Sequence, residues 1–172
     1  TAFSEPTLVG PFAQIMHAAI ETGIARAAFE ESLVRVRQAR PWIDSGADTA
    51  ADDPLTKYEL GRIIADVRAS EVLLKQAARA IDAARPQPSA ANIAKASLDV
   101  AKVRAHSTET ALKASSKLIE LAGSRGSQRA AGLDRFWRNA RVHTLHDASR
   151  WKYYFIANFL LNGVLPPRRG TL

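Results

Sequence analysis

The sequence contains no cysteine in 172 residues, which excludes disulfide frameworks and thiolate metal sites. That composition fits a reducing compartment, and the expected location is cytoplasmic. The period-two runs of Val, Ile and aromatics that mark half-buried strands are also missing, while Ala and Leu dominate, which favours helix. No apolar run is long enough to span a bilayer: the most apolar stretch, 155–165, is short and carries Asn158 and Asn162. Residues 1–10 have neither the basic start nor the apolar segment of a signal peptide. Repeats and low-complexity tracts are absent. A soluble protein with no membrane partner is expected.

What is present is ordinary globular material, 47% hydrophobic and 24% charged, at a length that suits one domain with a sizeable core. The net charge of +7 attracts anions, and Arg carries most of it, which suits bidentate phosphate recognition. Residues 1–10 read as a connector from an upstream region, 11–163 as a helical bundle and 164–172 as an irregular tail.

The first helix is expected over 11–39. Phe12, Ile15, Met16, Ala19, Gly23 and Ala27 recur at three- and four-residue steps as its apolar stripe, and the small residues among them suit close helix packing. Pro41 ends this helix. Asp53-Pro54 signals a helix start, N-cap then proline, for a second helix reaching Ala84. Its buried side is marked by Leu60, Ile63, Ile64, Val67, Leu74, Ala78 and Ile81, with Glu71 and Lys75 as an i,i+4 pair. Ser89 caps a third helix reaching Ala122, and Gly123 terminates it. Shorter helices over 133–141 and 148–161 complete the expected fold class: all-α, an up-down bundle of three long helices and two short ones.

Three segments concentrate polar residues that a bundle does not need. In 35–42, Arg35, Arg37 and Arg40 either clamp an anion or offset a helix macrodipole. Gly123-Ser124-Arg125-Gly126 offers turn amides beside a guanidinium, or a simple helix-ending turn; it matches no P-loop or dinucleotide fingerprint. In 135–147, His143, His146 and Asp147 could ligate metal, relay protons or cap a helix. The metal reading is disfavoured because no Glu-x-x-His pair occurs and further ligands are lacking. Asp147 suits an N-cap of the last helix. His17 and His106 read as structural or solvent-facing, and Trp137, Trp151, Tyr153, Tyr154, Phe155 and Phe159 as core or subunit interface.

Gln38-Ala39-Arg40-Pro41-Trp42, Asp53-Pro54, Gly123-Ser124-Arg125-Gly126, Asp134 to Arg141 and His143-Thr144-Leu145-His146-Asp147, in this order, resemble the C-terminal helical domain of the acyl-CoA dehydrogenase superfamily. Within it the sequence looks like the flavin-dependent monooxygenase branch of dibenzothiophene monooxygenases and sulfur-acquisition oxidoreductases. The resemblance implies that His146, with His143 close by, lies beside a flavin ring and moves protons during oxygen transfer. It implies that Arg40 grips flavin phosphate across a subunit boundary, and that Ser124 and Arg125 approach the cofactor. The cofactor implied is reduced FMN supplied by a flavin reductase, with FAD as the alternative, and the assembly implied is a homotetramer acting on a small organosulfur compound. The Glu-Gly pair of the dehydrogenases is replaced here by Thr144-Leu145-His146-Asp147, which argues against acyl thioester dehydrogenation with FAD. A non-enzymatic helical module for assembly or anion binding is a further alternative; nucleic acid is not the expected partner, because the Arg residues cluster at helix ends rather than along one stripe. The resemblance also implies the N-terminal helical and middle β domains that the superfamily uses, so these 172 residues alone are expected to be inactive.

Overall fold

A computed structural model describes residues 7–167, and they form an up-down helical bundle. The elements are α1 (Val9–Gln38), α2 (Pro54–Ala84), α3 (Ala90–Leu121), α4 (Asp134–His143) and α5 (Arg150–Asn162), with short 3-10 turns at Ile43–Ser45, Ser124–Ser127 and Arg129–Ala131. Three long helices and two short ones are those expected, with boundaries within about two residues. Val9 and Gly10 belong to α1 rather than to a connector. Residues 1–6 of that connector, and Arg168 and Arg169 of the tail, lie outside the described residues.

Local chemistry sets the helix ends. The Asp53 carboxylate accepts from the Leu55 amide at 2.9 Å, with Pro54 in the first turn. The Ser89 hydroxyl accepts from the Asn92 amide at 3.2 Å. After α3 the chain turns at Gly123, whose φ of 69° and ψ of −168° lie in a region essentially reserved for glycine. The glycine expected to end α3 does so through this extended turn.

α3 is the central helix and packs on the other four. Small residues such as Ala96, Ala101, Ala105, Ala111 and Ala114 are buried on several of its faces, so its neighbours approach closely. Two apolar clusters form. One contains Ala25, Ala28, Ile63, Val67, Leu118, Leu133 and Ala140; the other contains Ala18, Ala77, Ile81, Val100 and Val103. Between them, at the level of Glu21 on α1 and Arg104, Ser107 and Thr108 on α3, the interior is polar and desolvated.

That polar layer reverses the expected orientation of α1. Its buried face is Gln14, Ala18, Glu21, Thr22, Ala25, Ala28, Ser32 and Val36, whereas Phe12, Met16, Ala19, Gly23 and Ala27 are exposed. Glu21 must face Arg104, and turning it inward turns the larger apolar side chains out. Nor does Glu71 pair with Lys75: it takes Arg26 of α1 and Arg68 instead. The aromatics Trp151, Tyr153 and Tyr154 are about half exposed rather than core. Among the described residues, no helix is long and apolar enough to cross a membrane.

Candidate functional site

α4 ends at His143, and three tight turns follow. The amides of Thr144, Leu145 and His146 bond back to the carbonyls of Ala140, Val142 and His143 at 2.9, 3.2 and 3.1 Å. This winding folds His146 back over α1, where its ring stacks on His17 with centroids 4.0 Å apart and planes tilted 35°. His17 Nδ1 lies 3.2 Å from His143 Nε2, and His143 Nδ1 lies 3.2 Å from Glu21 Oε1. His17 is therefore not free in solvent: it joins the two histidines that the sequence singled out. His17 and His143 bond to each other through their ring nitrogens while His146 only stacks on His17, and no group of three potential ligands among the described residues could hold a metal ion.

Behind the imidazoles sits a buried ionic network. Glu21 and Arg104 are each 0% exposed and paired; Glu21 Oε2 also accepts from Ser107 at 3.0 Å and Thr108 at 2.8 Å. Arg104 donates to Asp147 at 3.2 Å, and Lys152, 2% exposed, donates to the other Asp147 oxygen at 3.2 Å. Two carboxylates thus face two cations, the condition under which buried charge is tolerated. Asp147 is not an N-cap of α5, which has no side-chain cap bond. Burial pushes the Asp147 carboxyl up, but Lys152 and Arg104 outweigh it and hold the group below its ordinary value. Burial lowers Lys152 despite Asp147. Burial, then His146 and Arg104, lower His17 below the ordinary histidine value.

At the other end of α1 lies a different kind of site. Arg40, Pro41 and Trp42 face Gly123, Ser124 and Arg125 across an open cavity of about 710 Å³, whose lining includes Asp53 and Thr56. The first two polar segments of the sequence therefore converge, bringing together three of the expected site residues. Arg40 and Arg125 are exposed and make no ion pair among the described residues, whereas Arg35 is committed to Glu31. Gly126 packs this loop onto α3: a Cβ there would sit 2.6 Å from that of Ala122 and 3.1 Å from the Ile119 carbonyl oxygen. Two guanidiniums, a hydroxyl and turn amides beside an open cavity fit a phosphate-bearing ligand.

The structure does not bring His146 to this cavity. His17 and Gln38 bracket the length of α1 between the two sites, a span of roughly 30 Å at about 1.5 Å per residue. Sequence reasoning missed Glu21, Arg104, Lys152 and the part played by His17. The signals available were weak: a four-residue spacing of His17 and Glu21, and an arginine amid the alanines of a helix that proved central.

Residues 15–151 match the family model described as acyl-CoA dehydrogenase, C-terminal domain. The chain is 34% identical over 164 residues to dibenzothiophene monooxygenase of Mycolicibacterium goodii, covering 93% of this chain and 40% of that protein. It is 29% identical over 158 residues to the probable FMNH2-dependent monooxygenase SfnC of Pseudomonas putida, covering 90% and 40%. It superposes on the crystal structure of FMN-bound TdsC from Paenibacillus sp. A11-2 with a TM-score of 0.91 and 28% identity, over 96% of this chain and 42% of that one. The chain thus spans about 40% of the length of the curated relatives it matches.

Proposed function

The chain belongs to the acyl-CoA dehydrogenase C-terminal-domain family, and from that premise we propose that it serves a reduced-FMN-dependent monooxygenase acting on a small organosulfur compound, as part of a longer polypeptide. In this reading Arg40, Ser124 and Arg125 hold flavin phosphate, while His146, backed by His143, faces the ring of a flavin and handles protons at its imidazole nitrogens. FMN, when bound, supplies the oxygen chemistry; this chain orients it and neutralises its phosphate.

The observation that carries the reading is the pairing of an open arginine cavity at one end of α1 with a histidine face packed on its other end, about 30 Å away along that helix. No single mononucleotide reaches both. A flavin facing His146 of one copy is therefore held by Arg40 and Arg125 of another, and a complete site needs a homo-oligomer, for which a tetramer suffices. The exposed face of α1, with Phe12, Met16, Ala19 and Gly23, suits such packing.

Dehydrogenation of an acyl thioester would need a free carboxylate in the 144–147 segment. The one carboxyl there, Asp147, is committed to Arg104 and Lys152, which supports the monooxygenase reading over that alternative.

Subunit complementation tests it. His146→Ala and Arg40→Ala copies, each impaired alone with reduced FMN and oxygen, are expected to regain oxygenated product when co-assembled, because some sites then combine an intact His146 with an intact Arg40. No recovery in mixed assemblies, with both variants folded, overturns the shared-site reading. A flavin reductase is the partner expected to supply reduced FMN.

A further inference from the structure

We propose that Glu21 and His17 are positioning residues for the histidine face: the buried Glu21 carboxylate fixes the tautomer of His143 and through it that of His17, whose ring supports His146. The inference rests on the reading that His146 is the group presented to the flavin; the ordering of the imidazoles follows from their contacts with both rings neutral, whether or not a flavin binds there.

Hydrogen-bond inventory assigns the protons. Glu21 Oε1 is paired with Arg104, and as a carboxylate oxygen it can only accept. His143 Nδ1, 3.2 Å away, must then be the donor. A neutral imidazole has one donor and one acceptor, so His143 Nε2 is left as an acceptor. His17 Nδ1, 3.2 Å from that atom, must in turn carry its proton, and the lone pair of His17 falls on Nε2. With both rings neutral, no other assignment satisfies both contacts. Burial and the neighbouring His146 and Arg104 disfavour the charged form of His17, in keeping with a neutral ring.

The anchor of this chain of contacts is rigid. Glu21 is 0% exposed, and its second oxygen is occupied by Ser107 and Thr108. The far end is held less firmly: His146 is exposed, and the contact that defines its ring orientation is the 4.0 Å stack on His17. A ring on a short loop is thus oriented by a charge buried in the bundle, through two imidazoles. Such support is what separates a residue that is present from one held in productive geometry.

Imidazole side chains free in water favour the Nε2–H tautomer, so the assignment is directly observable. Histidine-selective ¹⁵N NMR of the flavin-free protein near neutral pH is expected to give His143 and His17 as Nδ1–H forms. Finding either as the Nε2–H form overturns the proposal. In turnover with reduced FMN, His17→Ala is expected to lower the product-forming kcat, by up to about 100-fold, with FMN affinity unchanged. His17→Phe, which keeps a ring beside His146, and His17→Asn, which keeps a donor near the Nδ1 position, are each expected to recover part of the loss. Wild-type turnover in a folded His17→Ala, alongside loss in His146→Ala, overturns the positioning role. If His146→Ala is itself fully active, the flavin reading of His146 falls, and the NMR result still decides the tautomer chain.

Discussion

The two ends of α1 handle charge in opposite ways. At the histidine end, Glu21, Arg104, Asp147 and Lys152 are desolvated and satisfy one another, so charge there holds the bundle in shape. At the arginine end, Arg40 and Arg125 stand in an open cavity and form no ion pair among the described residues, and in the proposed reading their charge meets a ligand. Chemically identical guanidiniums thus become scaffold or site according to whether the fold supplies their counter-charge. The same contrast explains how a +7 chain carries a buried four-charge network without seeking an external anion for it.

Deleting one cation at each end puts this difference under the greatest strain. Arg104→Met leaves Glu21 and Asp147 short of a partner in the interior, and loss of about 3–5 kcal/mol of folding stability is expected in urea titration. Arg40→Met is expected to leave the urea midpoint essentially unmoved. Equal effects at the two ends would abolish the distinction. Next in size is ligand affinity: Arg125→Ala is expected to weaken FMN binding roughly 10- to 100-fold, as loss of a charged hydrogen bond does, and titration of FMN fluorescence reads it. Binding unchanged in Arg125→Ala would remove this cavity as the phosphate site.

A smaller change probes the arginine end alone. Gly126→Ala drives a methyl into Ala122 and the Ile119 carbonyl, and a cost of about 1–3 kcal/mol is expected together with weaker FMN binding, since the loop bearing Ser124 and Arg125 must shift. Thermal unfolding and FMN titration of one sample measure both. Stability lost with affinity intact would show that the loop does not position the clamp.

The mildest perturbation is pH, and it addresses the histidine end. His17 binds its proton less tightly in the fold than in the unfolded chain, where the ordinary value is 6.5. Below that pH the unfolded state takes up more protons, so this group costs stability as pH falls through 6.5 and nothing above it. Asp147, lowered from 3.8, contributes stability that is lost only at still lower pH. Between about pH 8 and about pH 5, stability is therefore expected to fall as pH passes down through the histidine range, and His17→Phe is expected to reduce that loss, as melting curves would record. An unchanged profile in that variant would detach His17 from the effect.

Much of the arginine end was legible in the amino-acid sequence. Arg40 beside Pro41, and Ser124 and Arg125 after Gly123, sit at helix ends that proline and glycine announce locally. Their convergence still needed α1 and α3 to run side by side. The histidine end was legible only in part. His143 and His146 stand out in a short polar segment, but His17 is 126 residues from His143 in the chain, and its four-residue spacing to Glu21 is the one local sign of a partner.

Where the helices start and stop is a local matter, and the sequence settles it, because Pro41, Asp53-Pro54, Ser89 and Gly123 act on backbone within a few residues of themselves. The helical class is settled in the same way, since alanine-rich segments with no alternating β-branched runs leave little else to form. Which face of α1 is buried is instead a property of the assembled bundle. The apolar stripe read from periodicity lost to the requirement that Glu21 meet Arg104, because an unpaired charge in the interior costs more than several half-exposed apolar side chains gain by turning inward.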